Sequence, residues 1–353
     1  RLEADLPLLR SALDLTGAFT LRCDFSDPHR SGRSCVKLEP DVSGAGVFYK
    51  PTELKADLVV DAFYDHLGDL TVTKPLWQPK TLNRGAYGWV MEAVHAPRAC
   101  AEDTSAYYQS VGQLLFSQYL LGGGDIHYEN LIAACEGPVV IDHECLMTNQ
   151  PGPAFERATA EQRAVRALTF ESVMRTTILP EWNAEAAGRP VDFSAIGKTS
   201  GRVSTSRELT LLHPGTDNMR LIRAPHARSE TGANTVVLDG EVVDASHHAQ
   251  DIIYGFETAY TGFLSAPNLP APLFRDLRDL NARVVLRRTQ AYKEKLLQLC
   301  APSNMVSGPA AQLALESLYR PIVTDPVAGQ GLLQAVRSEI AQLMQMDIPV
   351  FHA

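Results

Sequence analysis

The length, composition and charge of the chain limit what it can be. Its 353 residues are 45% hydrophobic and 21% charged, which is typical of a globular protein large enough for two lobes. The formal net charge of −9 argues against a nonspecific nucleic-acid or anionic-membrane surface. No apolar run approaches the about 20 residues of a membrane-spanning helix, and no signal-peptide pattern begins the chain, so we expect a cytoplasmic protein.

The segment up to residue 95 predicts a β-rich unit. Two strands joined by a polar turn are followed by "VFYK", a good strand former that places Lys50 at the end of a strand. Residues 53–67 carry apolar side chains at helical spacing, and Asp57 or Asp61 in that helix could hold Lys50. Two more strands follow, separated by a loop that contains Asn and Gly.

The segment 96–353 predicts a helix-rich unit. Asp103 or Thr104 is expected to cap a helix from Ser105 to Leu121, which ends at three consecutive glycines. The chain therefore predicts an α+β fold, with residues 1–95 as a β-rich N-lobe and residues 96–353 as a helical C-lobe.

The stretch "GGGDIHYENLIAACEGPVVIDHE", residues 122–144, predicts a site. Two short apolar runs are joined by a Glu-Gly-Pro turn at 136–138, which is typical of a β-hairpin. A hairpin brings its open ends together, so the polar residues flanking the two runs should converge. These residues are Asp125, His127, Asn130, Asp142 and Glu144.

This set of residues has the parts that phosphoryl transfer from ATP requires. Such a site needs a cradle for the phosphates, a lysine on them, oxygen ligands for Mg²⁺ and a carboxylate near the attacking hydroxyl. The turn "SDPHRSGRS", residues 26–34, can supply backbone N–H groups, and Lys50 can contact phosphate. Asn130 and Asp142 provide the hard oxygen ligands that Mg²⁺ prefers.

The remaining polar residues have more open roles. Asp125 would orient or deprotonate the acceptor hydroxyl, while His127 would either hold Asp125 or act on a proton itself. Glu144 is a second metal ligand or a ligand of water. Each residue taken singly also has a structural interpretation, as a turn cap, a solvated strand end or a core imidazole. In this order and spacing they favour a kinase-like site over a degenerate kinase fold without activity.

Several further motifs carry a resemblance to a known family. "DPHRSGRSCVKLE", "VFYKP", "LNRGAYGWVMEAV", "GTDNMRLI", "GFETAY", "RVVLRRTQAYKEKLL" and "RSEIAQLMQMDIPVF" accompany the central stretch. Together they resemble the dehydratase domain of class II lanthipeptide synthetases, and the match runs from about residue 20 to the final residues. The resemblance implies a two-lobed fold similar to protein and lipid kinases.

The resemblance also implies an activity and the residues that perform it. Such enzymes use ATP and Mg²⁺ to phosphorylate Ser and Thr of a precursor peptide, then eliminate phosphate to leave dehydroalanine or dehydrobutyrine. The matched positions fall into four groups. Asp27 and His29 match the phosphate loop and Lys50 the nucleotide lysine; Asp125, His127 and Asn130 match the catalytic loop; Asp142 and Glu144 match the metal pair; Arg283 and Thr289 match the elimination residues.

Arg283 and Thr289 have two interpretations from the residues alone. In one, the surrounding segment is an amphipathic helix with a solvated basic face. A separation of six residues on an unbroken helix would point the two side chains about 120° apart. On a strand the even separation would align them, and a cation beside a departing phosphate would suit β-elimination.

Three functional hypotheses follow from the sequence. The first is an ATP-dependent peptide dehydratase whose partner is a precursor peptide with a leader and a Ser/Thr-rich core. The second is a small-molecule or lipid-type kinase without elimination. The third is a non-catalytic remnant that binds precursor peptide. The family continues into a C-terminal cyclase domain, so we also expect this chain to be a piece of a longer polypeptide.

Overall fold

The computed structural model describes residues 1–23, 26, 32–41, 44–147, 171–180, 182–184, 190–197, 207–213, 216–225, 232–287, 289–323 and 330–352. Within these ranges the α-helices are α1 (Leu2–Ala12), α2 (Lys55–Leu70), α3 (Ala101–Leu120), α4 (Ala249–Ser265), α5 (Ala271–Arg278), α6 (Thr289–Leu299), α7 (Gly308–Val323) and α8 (Gln330–Leu343). The strands are β1 (Phe19–Arg22), β2 (Val36–Pro40), β3 (Val47–Lys50), β4 (Thr81–Asn83), β5 (Gly88–Met91), β6 (Leu131–Ala134), β7 (Gly137–Val140), β8 (Trp182–Ala184), β9 (Pro190–Asp192), β10 (Arg207–Leu212), β11 (Arg220–Pro225), β12 (Val237–Leu238), β13 (Glu241–Val242), β14 (Arg283–Val284) and β15 (Phe351–His352).

The first five strands form one antiparallel sheet in the order β1-β2-β3-β5-β4. Lys50 is the last residue of β3 and pairs with Gly88 of β5, so the prediction that Lys50 ends a strand is confirmed. The helix predicted over 53–67 is α2, which extends three residues further. Mixed helices and small sheets agree with the expected α+β class.

Helix α1 packs against this sheet through a buried carboxylate. Asp5 accepts hydrogen bonds from the Tyr87 hydroxyl at 2.8 Å and the Trp89 indole at 2.9 Å, and Arg84 lies 3.1 Å away. Burial alone would raise the pKa of Asp5, but these donors and the guanidinium lower it. The contacts fix β4 and β5 beneath the helix. Strand β5 pairs in turn with β3, the strand that carries Lys50.

Helices α2, α3 and α4 and the hairpin β6–β7 form the central hydrophobic core. Helices α3 and α4 approach so closely that a Cβ on Gly112 would lie 2.0 Å from the Ile252 carbonyl oxygen. A Cβ on Gly255 would lie 1.9 Å from the Gln109 carbonyl oxygen, so both glycines are required by the contact. Helix α3 therefore has a fixed position, and its C-terminus leads directly into the predicted site.

The predicted start of α3 is wrong by four residues. The helix begins at Ala101 with Cys100 as its N-cap, and neither Asp103 nor Thr104 is the cap. Asp103 instead occupies the third helical position, where its carboxylate accepts a hydrogen bond from the Ala99 N–H at 3.0 Å. An acidic residue at the third helical position reaches back to a backbone donor just before the helix, whereas a capping side chain accepts from a donor inside the first turn. The predicted glycine stop at residue 122 is confirmed by its φ of 67°.

The segment around residues 274–299 is not a continuous helix. Helix α5 ends at Arg278, Arg283 lies in β14, and α6 begins at Thr289. Strand β14 pairs with β15, with Arg283 opposite His352. Helices α6, α7 and α8 enclose a separate small core. No helix in the described part of the chain is both long and apolar enough to cross a bilayer.

Candidate functional site

The loop 125–130 begins with an unusual backbone conformation at Asp125. Its φ of 61° lies in the left-handed region, which Asp adopts more readily than most residues. The conformation is held on both sides: the Asn130 side-chain amide donates to the Asp125 carbonyl at 2.9 Å, and Ile126 N–H donates to the Thr176 carbonyl at 3.2 Å. Asn130 thus closes the loop and keeps its own amide oxygen available to a cation.

The His127 ring is positioned by the same loop. Its Nδ1 accepts a hydrogen bond from the Glu129 N–H at 3.2 Å, and its Nε2 lies 3.4 Å from the Asn130 amide nitrogen. The ring makes no hydrogen bond to the Asp125 carboxylate in the described residues, although its charge would act on that group. Of the two roles left open by the sequence, holding Asp125 through a direct hydrogen bond is therefore not observed.

The hairpin brings the two predicted clusters together as expected. Leu131 pairs with Val140, and Ile141 N–H donates to the Asn130 carbonyl at 3.0 Å. The two open ends of the hairpin, at Asn130 and at Asp142, are therefore adjacent. The predicted turn is slightly displaced. It comprises residues 135–136 and β7 already begins at Gly137, because a two-residue connection closes the antiparallel register.

Asp142 and Glu144 follow the second strand in a tight turn. The Asp142 carboxylate accepts a hydrogen bond from the Glu144 N–H at 3.1 Å, which is the geometry of an Asx turn. Glu144 is joined to Arg283 twice: the guanidinium lies 2.5 Å from its carboxylate, and Arg283 N–H donates to its carbonyl at 3.0 Å. The Arg283 side chain is only 15% exposed and that of Glu144 30%.

Lys50 reaches the same cluster from the N-terminal sheet. Its ammonium donates to the Ile141 carbonyl at 2.5 Å, immediately before Asp142. Burial would lower the pKa of Lys50, but the negative charges of Asp57, Asp142 and Glu144 outweigh it and raise the pKa. The expectation that an acidic residue of α2 supports Lys50 therefore holds for Asp57, through its charge.

The assembled cluster contains more negative than positive charge. Three carboxylates, Asp125, Asp142 and Glu144, face two cations, Lys50 and Arg283. Desolvation and the charge of Asp142 raise the pKa of Glu144 to about 7, even with Arg283 in contact. Desolvation also raises the pKa of Asp125, with the charge of Asp142 adding to it. A divalent cation would relieve this repulsion.

The donor set fits a magnesium ion in its chemistry. Two carboxylates, Asp142 and Glu144, and the Asn130 amide oxygen are hard oxygen donors, and Mg²⁺ commonly takes one or two carboxylates plus water and phosphate oxygens. Within the described ranges, no three His, Cys, Asp or Glu side chains are placed to hold a metal by themselves. A metal here would therefore depend on the Asn130 amide and on oxygens from outside the protein.

Of the remaining predicted site residues, one has no described hydrogen bond to the cluster and two lie outside the described residues. Thr289 is the first residue of α6, whereas Arg283 lies in β14, and the side chain of Thr289 makes no hydrogen bond to the described residues. Asp27 and His29 lie outside the described residues. Their assignments to elimination and to the phosphate loop stay predictions.

Two residues at the site were given no functional role by the sequence pattern. His143, between the two metal-ligand candidates, is 3% exposed, and its Nε2 lies 3.0 Å from the Gln78 amide nitrogen. Burial lowers the pKa of the His143 imidazole. Burial also raises the pKa of the Cys35 thiol, which is close enough to interact with the charges of Lys50 and Asp142. The I-D-x-E pattern gives His143 no role of its own, although an aliphatic or aromatic residue is usual there in the family that the chain resembles, and no local signal marks Cys35.

Comparison with known proteins agrees with the motifs. The chain is 23% identical over 339 residues to the lacticin 481/lactococcin biosynthesis protein LcnDR2 of Lactococcus lactis subsp. lactis. The similarity covers 91% of this chain and 34% of that protein, so the chain spans about a third of its relative's length. This similarity supports the resemblance to lanthipeptide synthetases that the motifs indicate. Because the model of the domain of unknown function DUF4135 matches residues 1–353, the chain belongs to the DUF4135 family.

Proposed function

We propose that this chain dehydrates Ser and Thr of a ribosomal precursor peptide in lanthipeptide biosynthesis, using ATP to phosphorylate the hydroxyl and then eliminating phosphate. The similarity to a lacticin biosynthesis protein supports the pathway. We further propose a two-lobed, kinase-like arrangement in the cytoplasm, where ATP is available, with residues 1–95 as N-lobe and 96–353 as C-lobe. The N-terminal sheet and α1 have a hydrophobic core of their own, while α2 of the proposed N-lobe packs in the central core of the proposed C-lobe.

One observation carries the proposal: a lysine from the sheet and the acidic hairpin meet in a cluster with excess negative charge. Lys50 contacts the residue before Asp142, and Asn130 closes the loop beneath Asp125. Desolvation and, after it, the charge of Asp142 raise the pKa of Glu144 even with Arg283 in contact. A purely structural ion-pair network would be expected to approach charge balance, because unpaired buried charge is destabilising.

In the phosphorylation step, each group of this chain has a defined task. Mg²⁺ and ATP, when bound, supply the phosphoryl group and the charge that stabilises its transfer. Asn130 and Asp142 would hold the metal, and Lys50 would contact phosphate oxygens. Asp125, whose raised pKa makes it a better proton acceptor, would take the hydroxyl proton of Ser or Thr as the new oxygen–phosphorus bond forms and the bond from the γ-phosphorus to the departing ADP breaks.

In the elimination step, the α-proton leaves to a base while the bond between Cβ and the phosphate oxygen breaks. The products are a dehydroamino acid and inorganic phosphate. Negative charge develops on the leaving phosphate, which a nearby guanidinium stabilises. Arg283 fits this role because its guanidinium contacts Glu144, which follows the hairpin β6–β7, and because it carries a permanent charge. We assign the Thr289 hydroxyl to the same step on the resemblance alone.

A kinase without elimination is the second candidate. It is favoured by one observation: Thr289 and Arg283 lie on different elements, α6 and β14, and no hydrogen bond joins their side chains within the described residues. It requires the same Lys50, Asn130 and Asp142 but no role for Arg283. The final product therefore separates the two functions.

The proposal is tested by mass spectrometry of a precursor peptide encoded beside the gene. The purified full-length protein, ATP and Mg²⁺ should remove one water per modified Ser or Thr. Asp142→Asn should leave the peptide unmodified, and Asp276→Asn, an exposed acid on α5, should behave as wild type. A stable phosphopeptide as end product would support the kinase, and an unmodified but bound peptide would support the non-catalytic remnant.

A further inference from the structure

A buried histidine anchors the turn between the two acidic metal-ligand candidates. His143 lies between Asp142 and Glu144 in the chain and is 3% exposed. Its Nε2 lies 3.0 Å from the side-chain amide nitrogen of Gln78, a residue 65 positions earlier. Gln78 lies in the segment between α2 and β4. The turn that carries both carboxylates is therefore held from a segment outside the hairpin.

Gln78 belongs to a network of polar side chains. The Tyr64 hydroxyl, on α2, accepts a hydrogen bond from the Gln118 amide, on α3, at 2.9 Å. The side chain of Gln78 is a second hydrogen-bond partner of this hydroxyl. Tyr64 and Gln118 are 2% and 1% exposed. Gln78 is thus held by α2 directly and by α3 through Tyr64, which gives its amide a fixed position opposite His143.

The contact with Gln78 is the main directional restraint on the His143 ring. Nδ1 makes no hydrogen bond of normal geometry within the described residues, although the Val140 carbonyl is close enough to act on the ring. A buried polar group without a partner is destabilising, so the orientation that directs Nε2 to Gln78 is favoured. A leucine of similar volume would fill the space without such a preference. The bond therefore restrains residue 143 and the two carboxylates beside it.

The other two anchors of the turn have proposed tasks of their own. Lys50 donates to the Ile141 carbonyl at 2.5 Å on one side of the turn, and Arg283 contacts the Glu144 carboxylate on the other. In the proposed reaction both cations contact phosphate oxygens, and they then hold the turn less firmly. His143 has no such task, so its contact with the network can persist while the two cations act on phosphate.

We propose that His143 and Gln78 are positioning residues for the turn of Asp142 and Glu144, and that they raise the affinity of this turn for Mg²⁺. The inference rests on the proposed function, because it assumes that the two carboxylates hold the metal. Loss of either partner would keep both carboxylates but widen the range of their orientations. Metal binding would then require more ordering of the turn, which weakens it.

The direct test is Mn²⁺ binding to the full-length protein in the presence of ADP, followed by the electron paramagnetic resonance signal of free Mn²⁺. Mn²⁺ favours the same oxygen ligands as Mg²⁺, and ADP without protein is the blank. Gln78→Leu and His143→Leu should each bind Mn²⁺ about fivefold more weakly, the effect of one lost hydrogen bond. His143→Gln can place an amide oxygen near the position of Nε2 and should keep most of the affinity. Gln250→Leu, at an exposed position of α4, is the matched control.

A double variant distinguishes one shared bond from two independent effects. If both residues act through the same hydrogen bond, Gln78→Leu combined with His143→Leu should bind Mn²⁺ as weakly as either single variant. In the phosphorylation assay, the Mg²⁺ concentration for half-maximal rate should rise about fivefold in each variant, while the KM of the precursor peptide stays unchanged. A purely structural role would lower stability and leave this Mg²⁺ concentration unmoved.

Wild-type Mn²⁺ affinity in Gln78→Leu, or losses that add in the double variant, would overturn the inference and leave the proposed function intact. Equal losses in His143→Gln and His143→Leu would also overturn it, because the glutamine retains an acceptor. No Mn²⁺ binding by the wild type would instead reject the proposed metal site together with this inference. Gln78 is only half-buried, so Gln78→Leu decides the matter even if His143→Leu does not fold.

Discussion

The pH dependence of stability should change when Glu144 is replaced by Gln. Glutamine resembles the uncharged form of Glu144 in shape and cannot ionise. In the wild type, desolvation and the neighbouring Asp142 raise the pKa of Glu144 to about 7, despite the contact with Arg283. The folded protein therefore holds on to the proton more tightly than the unfolded chain does.

The sign and size of the effect follow from this pKa. A carboxyl whose pKa is raised on folding contributes its stabilisation fully below its unfolded value of 4.5, and that contribution is lost as the pH rises through about 7. The rise of the pKa from 4.5 to about 7 corresponds to between about 3 and 4 kcal/mol, at about 1.4 kcal/mol per pH unit. The Glu144→Gln variant lacks this loss. Its free energy of unfolding should therefore rise relative to that of the wild type by about that amount over the same pH range.

The assay is urea unfolding of both proteins at a series of pH values spanning this range. Glu241→Gln, at an exposed position of β13, is the control and should follow the wild type. Adding Mg²⁺ and ADP at alkaline pH should restore wild-type stability more than that of Glu144→Gln, because the metal neutralises the carboxylate. Parallel curves for wild type and Glu144→Gln would refute the assignment of excess negative charge to this cluster.

Other predictions concern the metal ligands and the helix contact. Asp142→Asn and Asn130→Ala should each lower the rate of peptide phosphorylation at least about 100-fold, because each removes a metal ligand at the transferring phosphate. Wild-type rates, measured with labelled ATP, would remove these residues from the metal site. Gly112→Ala and Gly255→Ala should each lower stability by about 3 kcal/mol or more, since the new methyl group meets backbone within 2.0 Å. Gly308→Ala, with open space around it, should unfold thermally like the wild type.

The sequence predicted the local parts of the site well. The strand ending at Lys50, the glycine stop of α3 and the hairpin between Asn130 and Asp142 all depend on short patterns of apolar and turn residues. Such patterns constrain the backbone locally, and a hairpin converts them into proximity of its two ends. The convergence of the polar residues followed from that geometry.

The long-range contacts could not be predicted in the same way. Glu144 and Arg283 are 139 residues apart, and Gln78 and His143 are 65 apart. Neither pair leaves a periodic signal, because ion pairs and side-chain hydrogen bonds form wherever tertiary packing brings complementary groups together. The start of α3 was also misplaced, since Asp103 satisfies a donor from inside the first turn and therefore resembles a cap.

The central claim is that phosphorylation and elimination use different residues of one cluster, and the product of Arg283→Ala tests it most directly. The precursor peptide is incubated with this variant, ATP and Mg²⁺, and its mass is compared with the products of wild type and of Arg278→Ala, an exposed arginine on α5. We predict that Arg283→Ala accumulates phosphopeptide, because the guanidinium acts on the departing phosphate and not on the transfer from ATP. Fully dehydrated peptide from Arg283→Ala would contradict the account.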